Sequence, residues 1–194
     1  MTGKRTAVWV ALGLAAALAA GVFVTSTVVR ATLGRLVPAA IPHTRVGETM
    51  PPFQLTDLQG RTWRADDLTG KVAFISVWAT WCPPCRQELP HLQDLWERVK
   101  GRGDVVLLAM NVDEEPGKVR PFMDEHGYTF PVLFAHDFVR TQLATVGIPR
   151  LWVLDGRGVW RVDEIGFRSD GDWTERALTM IGSAGPSGGT AGTS

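Results

Sequence analysis

Cysteine is scarce in this chain of 194 residues, with only Cys82 and Cys85 present, so no thiol is left over for a structural disulfide framework. A zinc site needs about four ligands. The four histidines, His43, His91, His126 and His136, are scattered without a paired spacing, so no metal site is expected. A surplus of either charge is also lacking. Twenty Lys and Arg offset 20 Asp and Glu, which gives no global field to attract nucleic acid and leaves recognition to local features. Tyrosine occurs once, against eight Trp, for which core and anchoring roles are expected because large aromatics bury well. There is no internal repeat. The 45 % hydrophobic content suits one domain of ordinary size with appendages.

Charged side chains are absent from Ala7 to Val29, a 23-residue run rich in Ala, Val and Leu that follows Lys4 and Arg5. Such a run is long enough to span a bilayer. A cleavable signal peptide is the rival reading, since its apolar region is usually about 7–15 residues and small residues such as Ala17 and Ala19 suit a peptidase. Lys4 and Arg5 on one side face Arg30 and Arg35 on the other, so charge orients the segment only weakly. The expected organisation is a cytoplasmic amino terminus (1–6), a transmembrane anchor (7–29), a linker bearing Pro38 and Pro42 (30–45), a folded domain (46–181) and a disordered tail rich in Gly, Ser and Ala (182–194).

Within the domain the pattern alternates strand and helix. Phe53-Gln54-Leu55 and Arg61-Thr62-Trp63 flank the turn residues Asp57-Leu58-Gln59-Gly60, which predicts a hairpin. Lys71 to Trp78 and Asp104 to Val112 read as buried strands. Leu89, Leu92, Leu95, Trp96 and Val99 follow helical spacing after Pro83 and Pro84, and Pro116 to His126 predicts a further helix. Pro131 to Ala135 predicts a short strand and Asp137 to Val146 a weaker helix. Leu151–Leu154 and Val159–Val162 around Asp155-Gly156-Arg157-Gly158 predict an antiparallel hairpin, and Trp173–Ile181 a closing helix. The expected fold class is α/β, a mixed sheet covered by helices on both faces.

Chemistry concentrates in Trp78-Ala79-Thr80-Trp81-Cys82-Pro83-Pro84-Cys85, which follows a buried strand and opens an amphipathic helix. At a helix amino terminus the unpaired N–H groups and the dipole favour an anion, so Cys82 is expected to be the attacking thiolate. Cys85, one turn further in, would resolve the mixed disulfide. An inert disulfide across so short a loop would gain little stability. Pro83 and Pro84 carry no N–H, which takes two donors from the helix terminus and leans the pair toward reductase or isomerase use. Glu88, three residues after Cys85, can approach it along the helix, or it simply sits where the dipole favours an acid. Pro149 is, on sequence alone, a proline at the start of a strand.

With these motifs the chain resembles the bacterial thioredoxin-like oxidoreductases of the TlpA, ResA and DsbE type. The resemblance runs from about Val46 to Ile181. It rests on Gly47 to Leu55, Asp57-Leu58-Gln59-Gly60, Leu68-Thr69-Gly70-Lys71-Val72, the Cys motif through Glu88-Leu89-Pro90, and Gly147-Ile148-Pro149 before Leu151-Trp152-Val153-Leu154-Asp155. It implies a thioredoxin fold with an amino-terminal β-hairpin and a strand–helix insertion between Cys85 and Pro149. It also implies that Pro149 is a cis-proline beside the dithiol, which leaves the Ile148 backbone free to pair with substrate, and that Glu88 tunes the cysteines; Trp81, Pro83, Pro84 and Arg150 are further candidates for contact with substrate. Serine at 76 departs from the buried acid that thioredoxin has there and cannot act as its base, leaving Glu88 or water. Arg150 stands where a small polar residue is common. Exposed, it would be a surface charge; near Cys82, it would favour acidic substrates. The segment around Pro149 also departs from the Pro-Glu-Thr-Phe pattern of the cytochrome-maturation branch.

The resemblance implies a single-pass protein of a bacterial cytoplasmic membrane, its catalytic domain on the extracytoplasmic side, that reduces protein disulfides, apocytochrome c being one candidate. Its partners would be those proteins, a membrane electron donor and the bilayer through residues 7–29, with no nucleic acid. No cofactor is expected beyond the redox-active Cys82–Cys85 disulfide. Two alternatives are a peroxiredoxin-like thiol peroxidase, which shares the entry segment around Phe53, and a non-enzymatic metal or haem handling module. No His or Met lies near the pair in sequence to support the latter.

Overall fold

The computed structural model describes residues 44–145, 147–168 and 171–185. The expected amino terminus, anchor and most of the linker (1–43), and most of the expected tail (186–194), lie outside the described residues, as does Val146. Among the described residues no helix is long and apolar enough to cross a membrane.

The chain enters as the predicted hairpin, with β1 (Gln54–Thr56) antiparallel to β2 (Thr62–Arg64). Asp57 builds its turn. Oδ1 accepts from the N–H groups of Gln59 and Arg61, both at 2.9 Å, Oδ2 accepts from Trp63 Nε1 at 2.8 Å, and Gly60 supplies the left-handed φ of 82°. There follow β3 (Val72–Trp78), α1 (Pro83–Val99), β4 (Val105–Asn111), α2 (Val119–His126), β5 (Val132–Phe134), β6 (Arg150–Leu154), β7 (Trp160–Ile165) and α3 (Trp173–Ala184). The strand–helix unit formed by α2 and β5 lies in the stretch where the insertion was expected.

Two boundaries differ from expectation. The helix expected over Asp137–Val146 is only a π-helical turn, Phe138–Gln142, and Ala144 turns to a φ of 47°. The β-branched Val139, Thr141 and Thr145 are weak helix formers, and the chain must leave the helical region before Pro149. The closing helix continues to Ala184, which is 4 % exposed, so packing extends past Ile181 into the stretch expected to be tail.

The strands form a five-stranded mixed sheet in the order β5-β4-β3-β6-β7, with β3 parallel to β4 and antiparallel to β6. All seven residues of β3 are buried, as a central strand covered on both faces requires. Alternation along β3 sorts the layers. Phe74 meets Trp173 of α3 edge-on, and Ser76 bonds Glu88 of α1, so these two helices share a face. Ile75 and Val77 point to the other face, with Trp152 of β6. There Arg45 lies over the Trp160 ring, and its guanidinium donates to the Leu143 carbonyl. β3 and β4 end together at the pair Trp78 and Asn111, and the cysteine motif emerges from that carboxyl edge.

Candidate active site

Directly after β3 the backbone turns, with the Cys82 N–H bonded to the Ala79 carbonyl at 3.2 Å, and α1 begins. Cys82 is the N-cap, in extended conformation, and Pro83 and Pro84 fill the first two helical positions. Proline fits there because its fixed φ suits the helix and its missing N–H would have no intrahelical partner. The first available donor is therefore the Cys85 N–H, and it lies on Cys82 Sγ at 3.3 Å. Cys82 and Cys85 are joined as a disulfide with their Cα atoms 5.3 Å apart. Cys82 is 3 % exposed and Cys85 0 %. Around them Trp81, 62 % exposed, stands out with Pro83 and Pro84 at the surface, whereas Trp78, Trp152 and Trp160 are fully buried.

The Ile148–Pro149 peptide is cis, and Pro149 is buried, its carbonyl accepting from the Gly166 N–H at 2.8 Å. Gly147 permits the close approach of this loop to β7, since a Cβ there would lie 3.3 Å from Ile165 Cγ2. Ile148 is half-buried. Arg150 is not the exposed surface charge that one of the two expectations allowed. Its side chain is 6 % exposed, and Nε and a terminal nitrogen grip the fully buried Asp163 carboxylate at 2.5 and 2.7 Å. Asp163 also accepts from Trp152 Nε1 at 2.9 Å and the Arg45 N–H at 2.6 Å. Arg150 shares the Trp152 face of β6, opposite the Leu151 side that pairs with Ser76, and its ion pair with Asp163 ties β6 to β7.

Glu88 is 3 % exposed, on the face of α1 turned toward the sheet, and accepts from Ser76 Oγ at 2.7 Å. Burial pushes its carboxyl up to about 7, against the opposing effects of the Ser76 hydrogen bond and the Arg176 charge on α3. Arg176 is itself 3.9 Å from Glu164. Two residues noticed separately in the sequence thus form one unit, in which the serine donates to a carboxylate one helical turn beyond Cys85.

Sequence reasoning missed the carboxylate behind the motif. Asp113, just past β4, accepts from the N–H and hydroxyl of Thr80 at 2.8 and 2.6 Å and from Asn111 Nδ2 at 2.7 Å. The available signal was positional, since functional groups in parallel sheets gather at the carboxyl ends of adjacent strands. A cleft of about 250 Å³ that includes Trp81 and a larger one of about 680 Å³ that includes Phe53 and Phe138 both draw on Asp113, Glu114 and His136. Among the described residues no group of three or more His, Cys, Asp or Glu is arranged to hold a metal ion.

Known proteins fit this geometry. A thiol-disulfide oxidoreductase ResA of Geobacillus kaustophilus is 38 % identical over 114 residues, 58 % of this chain and 65 % of that protein. ResA of Bacillus thuringiensis strain Al Hakam is 34 % identical over 117 residues, covering 59 % and 66 %. The chain thus spans a little under two thirds of these curated relatives' length. Among solved structures, a putative thiol:disulfide interchange protein DsbE from Chlorobium tepidum superposes with a TM-score of 0.63 at 26 % identity, over 72 % of this chain and 96 % of that one. A putative protein disulfide isomerase from Bacteroides thetaiotaomicron gives 0.62 at 28 % identity, over 72 % and 91 %. The fold is the thioredoxin fold expected from the resemblance. The AhpC/TSA family model matches residues 46–162, the stretch from the entry segment through the dithiol, the cis-proline and into β7, and the chain belongs to that family.

Proposed function

We propose that this chain is a thiol:disulfide oxidoreductase that reduces protein disulfides through Cys82-Pro83-Pro84-Cys85. The observation that carries the reading is the position of Cys82 as N-cap of α1, its sulfur on the first N–H the helix offers, with the disulfide partner one turn deeper. In the reduced protein the Cys82 thiolate attacks a substrate disulfide sulfur. A mixed disulfide forms, and the expelled substrate thiolate takes up a proton. Cys85 gives up its proton and attacks Cys82 Sγ, which closes the Cys82–Cys85 disulfide and releases the second substrate thiolate. Two electrons pass to the substrate. Glu88, held near neutrality by burial, is matched to accept the Cys85 proton, a role the Ser76 hydroxyl does not fill. Trp81, Pro83, Pro84 and the Ile148 backbone form the surface a substrate meets.

The reaction is placed outside the cytoplasm, with residues 7–29 as anchor and a membrane donor returning electrons to the dithiol. This placement is supported by the uncharged run and by the use of the only cysteines as a pair, in a setting where disulfides persist. Mixing the reduced full chain, in detergent, with a protein disulfide tests the activity. Stoichiometric substrate thiols and an oxidised Cys82–Cys85 pair are expected. Oxidation by peroxide alone, with protein disulfides left intact, overturns the reading in favour of a peroxidase.

A further inference from the structure

The segment that delivers Cys82 is held by a residue outside the dithiol chemistry. Thr80 stands two residues before Cys82, and its backbone N–H and hydroxyl both end on the Asp113 carboxylate, the N–H on Oδ2 at 2.8 Å and the hydroxyl on Oδ1 at 2.6 Å. Asn111 completes the arrangement, donating from Nδ2 to Asp113 Oδ2 at 2.7 Å and accepting the Asp113 N–H at 3.1 Å. Asp113 is 4 % exposed and Asn111 1 %. A Val112 N–H to Trp78 carbonyl bond of 2.9 Å extends the β3–β4 ladder beneath this knot. Burying a carboxylate is costly unless its hydrogen bonds are made. Here they are made, and both atoms of Thr80 that they restrain lie in the turn carrying Trp81 and Cys82. Those are the exposed indole and the sulfur that must meet a protein partner together.

Disulfide exchange needs the attacking sulfur lined up with the target, and small misplacements are expensive. We infer that Asp113 is a positioning residue for disulfide exchange, acting through Thr80 to hold Trp81 and Cys82 in the geometry a protein disulfide requires. The inference rests on the oxidoreductase reading above. It predicts that reaction with a bulky, oriented partner depends on Asp113 while reaction with a small reagent does not.

The test uses the full chain in a Cys85→Ser background, where a single encounter ends in a mixed disulfide. Asp113→Ala is expected to slow mixed-disulfide formation with a protein disulfide by about tenfold or more. Asp113→Asn, which keeps the shape and one oxygen, should fall between Asp113→Ala and the parent and covers the case in which the alanine variant fails to fold. Thr80→Ser, which keeps both donors, should match the parent, whereas Thr80→Val should be slower. Alkylation of Cys82 by iodoacetamide, measured on the plateau at high pH, should stay within about twofold in every variant, because a small reagent needs no docking. The inference is overturned if Asp113→Asn exchanges at the parental rate, or if exchange and plateau alkylation fall together with the urea midpoint, which marks general loosening. A parent that forms no mixed disulfide at all overturns the oxidoreductase reading as well; a parent that exchanges beside an equally active Asp113→Asn overturns only this one.

Discussion

Replacing Glu88 with Gln in the oxidised protein separates the cost of a buried charge from every thiol titration, because a disulfide carries no titrating group. A rise from 4.5 to about 7, at roughly 1.4 kcal/mol per unit, corresponds to about 3 kcal/mol. The sign follows from which state holds the proton. Between those two values the folded protein keeps Glu88 protonated while the unfolded chain has lost the proton, so stability falls as pH rises through this window. Below it and above it, this group contributes no slope. Gln keeps the shape and can still accept from Ser76, but its amide does not ionise. Urea denaturation of parent and Glu88→Gln at a series of pH values from 4 to 8 should show the variant gaining on the parent by about 3 kcal/mol across the series. Any fixed penalty for the buried amide, about 1 kcal/mol, moves all points equally and leaves that difference intact. A parent-minus-variant difference that stays flat with pH refutes the reasoning, since Glu88 would then be solvated in the folded state.

In the reduced protein, Glu88→Gln removes a negative charge near the dithiol, so the pH profile of Cys82 alkylation should move to lower pH and exchange should change more than stability does. Asp163→Asn should destabilise the fold by about 3 kcal/mol or more in chemical denaturation, because it removes the buried anion to which Arg150, Trp152 Nε1 and the Arg45 N–H all donate, whereas a loss below about 1 kcal/mol would mean that this anion is dispensable. A reporter joined after Ala184 should be active only when exported. Activity only inside the cytoplasm would remove the anchor reading of residues 7–29.

The dithiol was legible in the sequence because two cysteines in a Trp-Cys-Pro-Pro-Cys context after an apolar run leave few other readings. Strand and helix spacing likewise placed β3, α1 and β4 to within a few residues. What stayed hidden depends on which elements become neighbours. Ser76 and Glu88 were each visible, yet their bond exists only because α1 packs on the Ser76 face of β3. Alternation along β6 puts Arg150 with Trp152, away from that face, but only the β6–β7 register reveals Asp163 as its partner. Asp113 looks like any acid after a strand. The parallel pairing of β3 with β4 is what carries it to Thr80. The stretch Asp137–Val146 has apolar spacing enough for a helix, but the weak helix formers Val139, Thr141 and Thr145 and the need to leave the helical region before Pro149 leave only the turn Phe138–Gln142.

The division of labour between Cys82 and Cys85 is tested most directly by trapping. Full-length Cys85→Ser, reduced and mixed with a protein disulfide, should accumulate a mixed disulfide through Cys82, because the thiol that would resolve it is gone. Cys82→Ser should form none, since Cys85 is fully buried behind the helix start. A mixed disulfide that accumulates with Cys82→Ser and not with Cys85→Ser would contradict the account, reversing attacker and resolver and removing the function assigned to the helix terminus.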